Sequence, residues 1–487
     1  MAVPRLVAVA VATALAGSAP AVAADYDLGP PLDVSAGQDL AGCTAGASAD
    51  FAFAYAGAEV EPQVAVNPLD PGEILGAAQQ DRWPDGGARG LTSWFSADGA
   101  ASWSQLPAVP WSACQGGPAR FGRVTDPWVS YDAGGNAYFI GQPIDSAALG
   151  ISAVSITSFD RAAEAWRPPQ LLIEDVGDRG AFNDKISVTG DPTRPGHAYA
   201  TWLRGDYPNG GTQSENADFH SFAYRGLPMF SRTTDGGGTW SAPEPMRDSN
   251  AYFQGNQIAV LPDGTLLNVA AVLFRGAGIQ PNGQGVFMAV MRSRDGGRTW
   301  SAPVKVAPLG TIATVNPDDG GPLRVGDYLP DIAVDRDSGA TYVVWSDARG
   351  GAVNHVVLSR STDGGRHWSS PVPVSDPDVE SFNHAVAVTA TGSVAVLYFD
   401  IRGNTPAPGL PTDVWLTHSE DGGRTFSADD HLYGPFDFML APESEGRGPF
   451  VGDYMGLEPT TGDDLVAFYA AAVAESDADV FSQRLTK

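Results

Sequence analysis

The sequence predicts an all-β fold, a β-propeller of four-stranded antiparallel blades, on three observations. A Ser/Thr-x-Asp-x-Gly-x-x-Trp pattern recurs along the chain. Apolar stretches of period two recur between its copies. The 58 Gly and 38 Pro among 487 residues supply turns for many short strands.

The pattern is cleanest at Thr233-Thr234-Asp235-Gly236-Gly237-Gly238-Thr239-Trp240, and it returns from Ser293 to Trp300 and from Ser361 to Trp368. A fourth copy, Ser419 to Phe426, ends in Phe; Ser96-Ala97-Asp98 with Trp103 is a weaker copy, and Ser158, Asp160 and Trp166 form a degenerate one. The spacing is about 60 to 75 residues. Each part has a physical reason: the Asp accepts backbone N–H bonds in a tight turn, the Gly supplies a positive φ, and the Trp folds back over the space between neighbouring strands.

Between copies, an alternating strand, a turn and a second strand repeat. Pro62-Gln63-Val64-Ala65-Val66 is followed by Ile74 to Ala78, and equivalents begin near Asp126, Asp184, Asn256, Pro330 and His384. With the box hairpin, each unit gives four strands, one blade. A seventh unit runs from Met455 to Arg484, so seven blades are favoured over six, with Phe51 to Tyr55 as the strand that completes the last blade.

The first residues read as an export signal. Arg5 is the only charge, Leu6 to Ala16 is apolar but too short for a membrane span, and Ala21-Val22-Ala23 suits cleavage after Ala23 or Ala24. The expected organisation is a signal over residues 1–24, a partly ordered segment over 25–50 and one propeller domain over 51–487, secreted and monomeric. Cys43 and Cys114 are an even pair in an exported chain, so a disulfide between them is expected. The formal net charge of -28 argues against nucleic acid and anionic membranes as partners. No cofactor is expected. The seven His are scattered without metal-ligand spacing, and the acidic turn Asp335 to Gly339, which has calcium-ligand chemistry, reads more simply as a hairpin.

The repeated motif is identified as the Asp-box, or BNR repeat, and through it nearly the whole mature chain resembles the sialidase superfamily. The resemblance implies that the boxes lie opposite the active face and are structural. It also implies a secreted exo-acting sialidase that uses an arginine cluster for the sugar carboxylate, a Tyr nucleophile with a Glu base, and an Asp acid. Sialidases carry an Arg-Ile-Pro motif in the first blade; here the stretch reads Val60-Glu61-Pro62, without the arginine.

In such blades, the ends of the second strands and the segments before the first strands share the opposite face. The second strands end in Asp81-Arg82, Arg204, Arg275, Asp347-Ala348-Arg349 and Asp400-Ile401-Arg402; Arg123, Asp126, Arg179, Tyr328, Arg447 and Tyr454 precede first strands. Candidate catalytic residues are Tyr454 or Tyr328 as nucleophile, Glu445 or Glu443 as its base, and Asp126 or Asp81 as acid. Candidate substrate contacts are Arg82, Arg204, Arg349, Arg402, Arg447, Asp347, Asp400 and His384. The structural alternative is that each Asp-x-Arg is an ion pair within its own blade, repeated because the blade is repeated.

Two further functional readings stay open. One is a polysaccharide lyase or another glycan-active enzyme on a seven-bladed scaffold, with His220, His384, Tyr328 and Tyr454 as possible bases. The other is a non-catalytic propeller that binds carbohydrate or protein. The insertion from Gly205 to Gly226 falls beside the same face, as a substrate rim or a passive loop.

Overall fold

The computed structural model describes residues 26–35, 40, 42–48, 50–145, 150–176, 181–206, 225–249, 251–274 and 285–487. The export signal, most of the insertion, and Arg179, His220 and Arg275 lie outside the described residues. Regular structure among the described residues is strand, apart from short 3-10 turns at Ala113–Gln115 and Phe438–Leu440.

The strands form successive antiparallel meanders. The first runs through Tyr55–Val66, Ile74–Arg82, Ala88–Ser96 and Ser104–Gln105. The second runs through Arg123–Tyr131, Ala137–Ile144 and Ile151–Asp160, and both Ala165–Trp166 and Gln170–Val176 pair with its last long strand. One residue pair, Ala88 with Val124, joins these two into a nine-stranded sheet. The next two meanders, opening at Ala181–Gly190 and Ala251–Val260, are joined only through Gly226 and Tyr252. Two four-stranded sheets follow, opening at Asp331–Val334 and Ser381–Val388. The last meander, Gly456–Pro459, Leu465–Ala474 and Asp477–Thr486, is extended at its outer edge by Asp27–Leu28 and Leu32–Asp33. These N-terminal strands, rather than Phe51 to Tyr55, cover that edge; Tyr55 instead begins the first opening strand. The seven opening strands touch one another in chain order, and Gly456–Pro459 also touches Tyr55–Val66.

Burial between meanders explains why the motif aromatics recur. Trp240 meets Tyr138 of the preceding meander with ring centroids 6.1 Å apart, Trp300 meets Phe230 at 5.5 Å, and Trp103 of the first meander meets Phe468 of the last at 5.4 Å. The aromatics thus fold back over neighbouring strands, and the strands they cover belong to the adjoining meander. Each fills space that its own meander could not close, and this supplies apolar burial at these junctions.

The turns are built alike. Asp235 Oδ1 accepts from the Thr239 amide at 2.9 Å and from the Thr233 hydroxyl at 2.8 Å, and that hydroxyl in turn accepts from the Gly237 amide at 3.0 Å. Asp295, Asp363 and Asp421 accept the corresponding amides of Thr299, His367 and Thr425. The turns also bond to the first hairpin of a meander, as in Gly236 N–H to Gly196 O at 2.9 Å and Gly99 N–H to Gly72 O at 2.9 Å. They therefore sit at the strand ends opposite Arg82, which closes Ile74–Arg82.

Glycine is required at Gly297 twice over, since its φ is +85° and a Cβ there would lie 2.2 Å from the Phe230 ring. Gly264 has a φ of +78° with open space around it. Gly297→Ala is expected to cost about 3 kcal/mol, from left-handed strain plus overpacking, and Gly264→Ala only about 1 kcal/mol. Urea midpoints of the two variants check the difference, and equal losses would remove the packing argument.

Candidate functional site

Five of the opening strands are interrupted at the same place. Pairing slips between Val60 and Gln63, Thr125 and Trp128, Asp184 and Ser187, Gln254 and Gln257, and Phe382 and Ala385. Each slip holds a residue at positive φ: Glu61 (58°), Asp126 (54°), Lys185 (49°), Gly255 (68°) and Asn383 (46°). A bulge re-aims the side chain that it carries, and a non-glycine residue in this region costs on the order of 1–3 kcal/mol. Charged residues therefore stand at three strained positions, all at the strand ends away from the Asp turns.

The bulges are stitched to one another and to the segment before the last opening strand. The Lys185 amide donates to Asp126 Oδ2 at 3.0 Å, Asn383 Nδ2 donates to Gly452 O at 2.8 Å, and the Glu61 amide donates to Val451 O at 3.2 Å. Their side chains meet in a dense charge cluster. Lys185 Nζ lies 2.5 Å from Asp453 Oδ2 and 3.6 Å from Glu61 Oε1, while Arg324 reaches the same Asp453 oxygen at 3.1 Å. Burial presses against the Lys185 charge, but Asp453, Asp126, Glu61 and Asp184 outweigh it and raise the lysine pKa. Burial also opposes the Asp453 charge, yet Arg324 and Lys185 overcome it and hold that carboxyl far below the usual range. Glu61, more deprived of water than compensated by Lys185, is pushed up to about 7, and Asp126 is raised for the same reason.

Three guanidinium groups adjoin this cluster. Arg82 is buried, lies 4.6 Å from the Phe450 ring centroid and donates to Gln79 Oε1 at 2.9 Å. Arg324 covers the same ring at 3.9 Å. Burial, then the charges of Arg324 and Arg447, lower Arg82 to about 9; Arg447 is lowered to about 10, chiefly by Arg324. Arg324 has its carboxylate, but among the described residues neither Arg82 nor Arg447 makes an ion pair. Forked guanidinium groups of this kind can grip a carboxylate or phosphate bidentately.

The other arginines singled out in the sequence stand elsewhere and are paired. Arg349 bonds Asp347 at 2.6 Å, Arg402 bonds Asp400 at 2.6 Å and Asp429 at 2.8 Å, and Arg204 bonds Asp175 at 2.8 Å. The two Asp-x-Arg pairs thus have the geometry of the structural alternative. Asp81 is occupied by Arg89 at 3.1 Å.

Tyr454 lies inside the cluster. Its ring centroid is 5.3 Å from that of Trp128, and its hydroxyl donates to Pro127 O at 3.3 Å. Burial and then the negative charges of Glu61, Asp126, Asp453 and Asp184 raise its pKa, so the phenol is neutral. Tyr328 is raised likewise by burial and Asp327, and it also senses Asp184 and Lys185. Glu445 is exposed, in the turn between the short strands Glu443–Ser444 and Gly448–Pro449, and Glu443 acts on Tyr55. The carboxylate acting most strongly on Tyr454 is Glu61.

A depression open to solvent adjoins the cluster and is lined by Lys185, Asp453, Tyr454, Trp128, Gln63 and His384 among others. His384 Nε2 bonds Leu329 O at 2.9 Å, and burial lowers its pKa to about 4, so it is uncharged at neutral pH. Cys43 and Cys114 form a disulfide.

Sequence reasoning passed over Arg324, Lys185 and the positive role of Glu61. A signal was present: Glu61-Pro62 and Asp126-Pro127 place a charge before proline at the head of an alternating strand, where a bulge is tolerated. Arg324 directly precedes the first of the two Val-Gly-Asp-Tyr segments.

The buried carboxyls give the fold a pH signature. Burial first, with neighbouring acids, raises Glu59 to about 8, and Glu61, Asp327, Glu458 and Asp479 to about 7. Their unfolded values are about 4. The folded chain therefore holds more protons than the unfolded chain between roughly pH 4 and 8, and stability falls as pH rises through that window. Asp453 and Asp295 have the opposite sign: their contribution is present above about pH 4 and is lost as pH falls further. Thermal midpoints at constant ionic strength should be a few degrees higher at pH 5.5 than at pH 8, and Glu59→Gln should flatten part of that slope. A higher midpoint at pH 8 would contradict the assignment.

A curated sialidase from Bacteroides fragilis (strain YCH46) is 28% identical over 202 residues, covering 37% of this chain and 35% of that protein. The match thus spans about a third of the length of that relative. No family model matches the chain. Among solved structures, the Hadza microbial sialidase Hz136 is similar with a TM-score of 0.47 at 13% identity, covering 85% of this chain and 76% of that one. The intramolecular trans-sialidase from Ruminococcus gnavus is similar with a TM-score of 0.41 at 14% identity, over 93% and 98%. The GH93 alpha-L-arabinofuranosidase of Fusarium graminearum has a TM-score of 0.44 at 12% identity, over 94% and 97%. Over the shared stretch the chain is sialidase-like, and the family it resembles is the sialidase superfamily.

Proposed function

We propose that the chain is a secreted, monomeric glycoside hydrolase of the sialidase type, acting on terminal acidic sugars of glycans. The observation that carries this reading is the cluster of Arg82, Arg324 and Arg447, in which only Arg324 has an ion-paired carboxylate among the described residues. A sugar carboxylate supplies the missing negative charge, and forked guanidinium groups grip it bidentately. The closed sequence of contacts among the seven opening strands supports a seven-bladed propeller with this cluster at one mouth of its hub.

Within this reading, Asp126 is the acid, because a buried carboxyl of raised pKa holds a proton to give to the leaving oxygen. Tyr454 is the nucleophile. Its phenol is too weak an acid to ionise alone among carboxylates, so a base must take the proton as the bond to the anomeric carbon forms. Glu61, near pH 7 in its own titration and the carboxylate felt most strongly by Tyr454, replaces Glu445 in that role. Water then attacks the anomeric carbon, giving a proton to Asp126, while the bond to the Tyr454 oxygen breaks and Glu61 returns its proton to that oxygen. Lys185 holds Glu61 and Asp453 in place, as a positioning residue.

Release of a fluorophore from an aryl sialoside tests the reading. Arg324→Ala should lower kcat/KM at least ~10-fold, the loss of a charge-assisted bond worth about 1.5–3 kcal/mol. Tyr454→Phe should lower kcat by ~100-fold or more. Absence of turnover by the parent chain across sialosides, with glycans merely retained, would instead indicate a binding protein.

A further inference from the structure

The tetrapeptide Val-Gly-Asp-Tyr occurs twice, at Val325–Tyr328 and Val451–Tyr454, and the fold brings the two copies together. In each copy the valine is buried and the glycine is the point of close approach. A Cβ on Gly326 would lie 2.1 Å from Asp453 O, and one on Gly452 would lie 2.7 Å from the Glu61 nitrogen. The aspartates keep different company: Asp453 meets Lys185 and Arg324, whereas Asp327 accepts from the Thr314 hydroxyl at 3.1 Å.

One side chain joins the copies. Asn383 Oδ1 accepts from the Gly326 amide at 2.9 Å, and Asn383 Nδ2 donates to Gly452 O at 2.8 Å. A flipped amide would set N–H against N–H and oxygen against oxygen, so these partners fix its orientation. Asn383 is 2% exposed and held at a φ of 46°, a conformation that asparagine tolerates better than most residues. Left-handed backbone, an acceptor and a donor are thus supplied from a single position.

The two segments depend on this amide unequally. Arg324 has other ties, its amide to Pro449 O at 3.2 Å and its guanidinium to Ser444 Oγ at 3.0 Å. Tyr454 follows Gly452 by two residues, and its hydroxyl has only a long bond, 3.3 Å, to Pro127 O. We propose that Asn383 is a positioning residue, whose amide registers the two Val-Gly-Asp-Tyr segments and so sets Tyr454 against Glu61. The roles of Tyr454 and Glu61 rest on the sialidase-type reading; the clamp itself rests on the two hydrogen bonds.

Turnover of an aryl sialoside and hydrogen-exchange mass spectrometry test the clamp, at a temperature where parent and variants are fully folded by circular dichroism. Asn383→Asp keeps the shape and tolerates the backbone, but an ionised carboxylate sets oxygen against Gly452 O, and only the protonated acid donates there. The charged groups on the joined segments and at the head of its own strand are Arg324, Asp327, Asp453 and Glu380. Burial and the three carboxyls favour that protonated form, against Arg324. Relative to the parent at the same pH, kcat of Asn383→Asp should be ~100-fold lower at pH 8 with KM little changed, and should recover at least ~10-fold by pH 5. Asn383→Gly relieves the backbone but has no amide; it should lose kcat equally at both pH values, and amides around Gly326 should exchange ~10-fold faster or more. An Asn383→Asp loss that does not recover at pH 5, or parent-like kcat or protection in Asn383→Gly, overturns the proposal. A parent chain that turns over no sialoside, with the Gly326 amides still released in Asn383→Gly, upholds the clamp and removes the sialidase reading.

Discussion

The arrangement depends on a backbone constraint, a left-handed residue held in a bulge at the head of successive opening strands. An unbroken strand would point Glu61, Asp126 and Lys185 along the ordinary alternation, into a sheet face or out of it. The bulge breaks that alternation at one level in each meander, so side chains from sequence-distant segments face one another. Because non-glycine residues resist this conformation, the surroundings must over-determine it. Bonds to the bulges from neighbouring segments do so: the Lys185 amide is fixed by Asp126 of the preceding bulge, and Asn383 by Gly452 in the segment before the last opening strand.

The charges then become mutually dependent. Lys185 keeps its proton because four carboxylates surround it, and Asp453 stays ionised because Lys185 and Arg324 flank it. Glu61 and Asp126, less well served, drift toward their neutral forms. Acids a few residues from their strand ends are thereby driven apart in behaviour by environment alone, one ionised and two inclined to hold protons. That division is what acid–base chemistry near neutral pH requires. Arg82 shows the complementary case, a cation placed without an ion-paired carboxylate among the described residues and weakened by burial and then by Arg324.

Much of the all-β framework was legible because local chemistry and fold agree. Asp235, Gly237 and Trp240 announce a turn whose hydrogen bonds and packing follow from those residue types alone. The recurring alternation likewise marked where strands open. The edge of the last sheet was misplaced because Asp27–Leu28 and Leu32–Asp33 are two-residue strands, too short to carry any periodicity, whereas Phe51 to Tyr55 looks like a strand and is an aromatic arm. Among the site residues, Asp126, Tyr454, Arg82 and Arg447 were visible as charges at junctions. Arg349 and Arg402 looked the same in sequence, since nothing local says whether an arginine finds an aspartate two residues earlier. That choice is made by strand-end geometry, which sets Arg349 against Asp347 and leaves Arg82 turned from Asp81, which Arg89 occupies.

The two ends of the strands therefore carry opposite physical programmes. At one end, glycine takes the positive φ, aspartate spends its charge on backbone amides, and an aromatic ring seals the junction to the preceding meander, so each feature is locally satisfied. At the other end, Glu61, Asp126 and Lys185 take the positive φ, and their opposite charges and the stitching bonds come from other meanders, as Lys185 does for Glu61 and Asp126 for the Lys185 amide. Cohesion at the first end makes strain at the second supportable, because a bulge relaxes only if its strand shifts against its neighbours, and the aromatic wedges oppose that shift. The site is consequently a property of the assembled sheets rather than of any one of them, and its charge balance exists only once the first and last meanders have met.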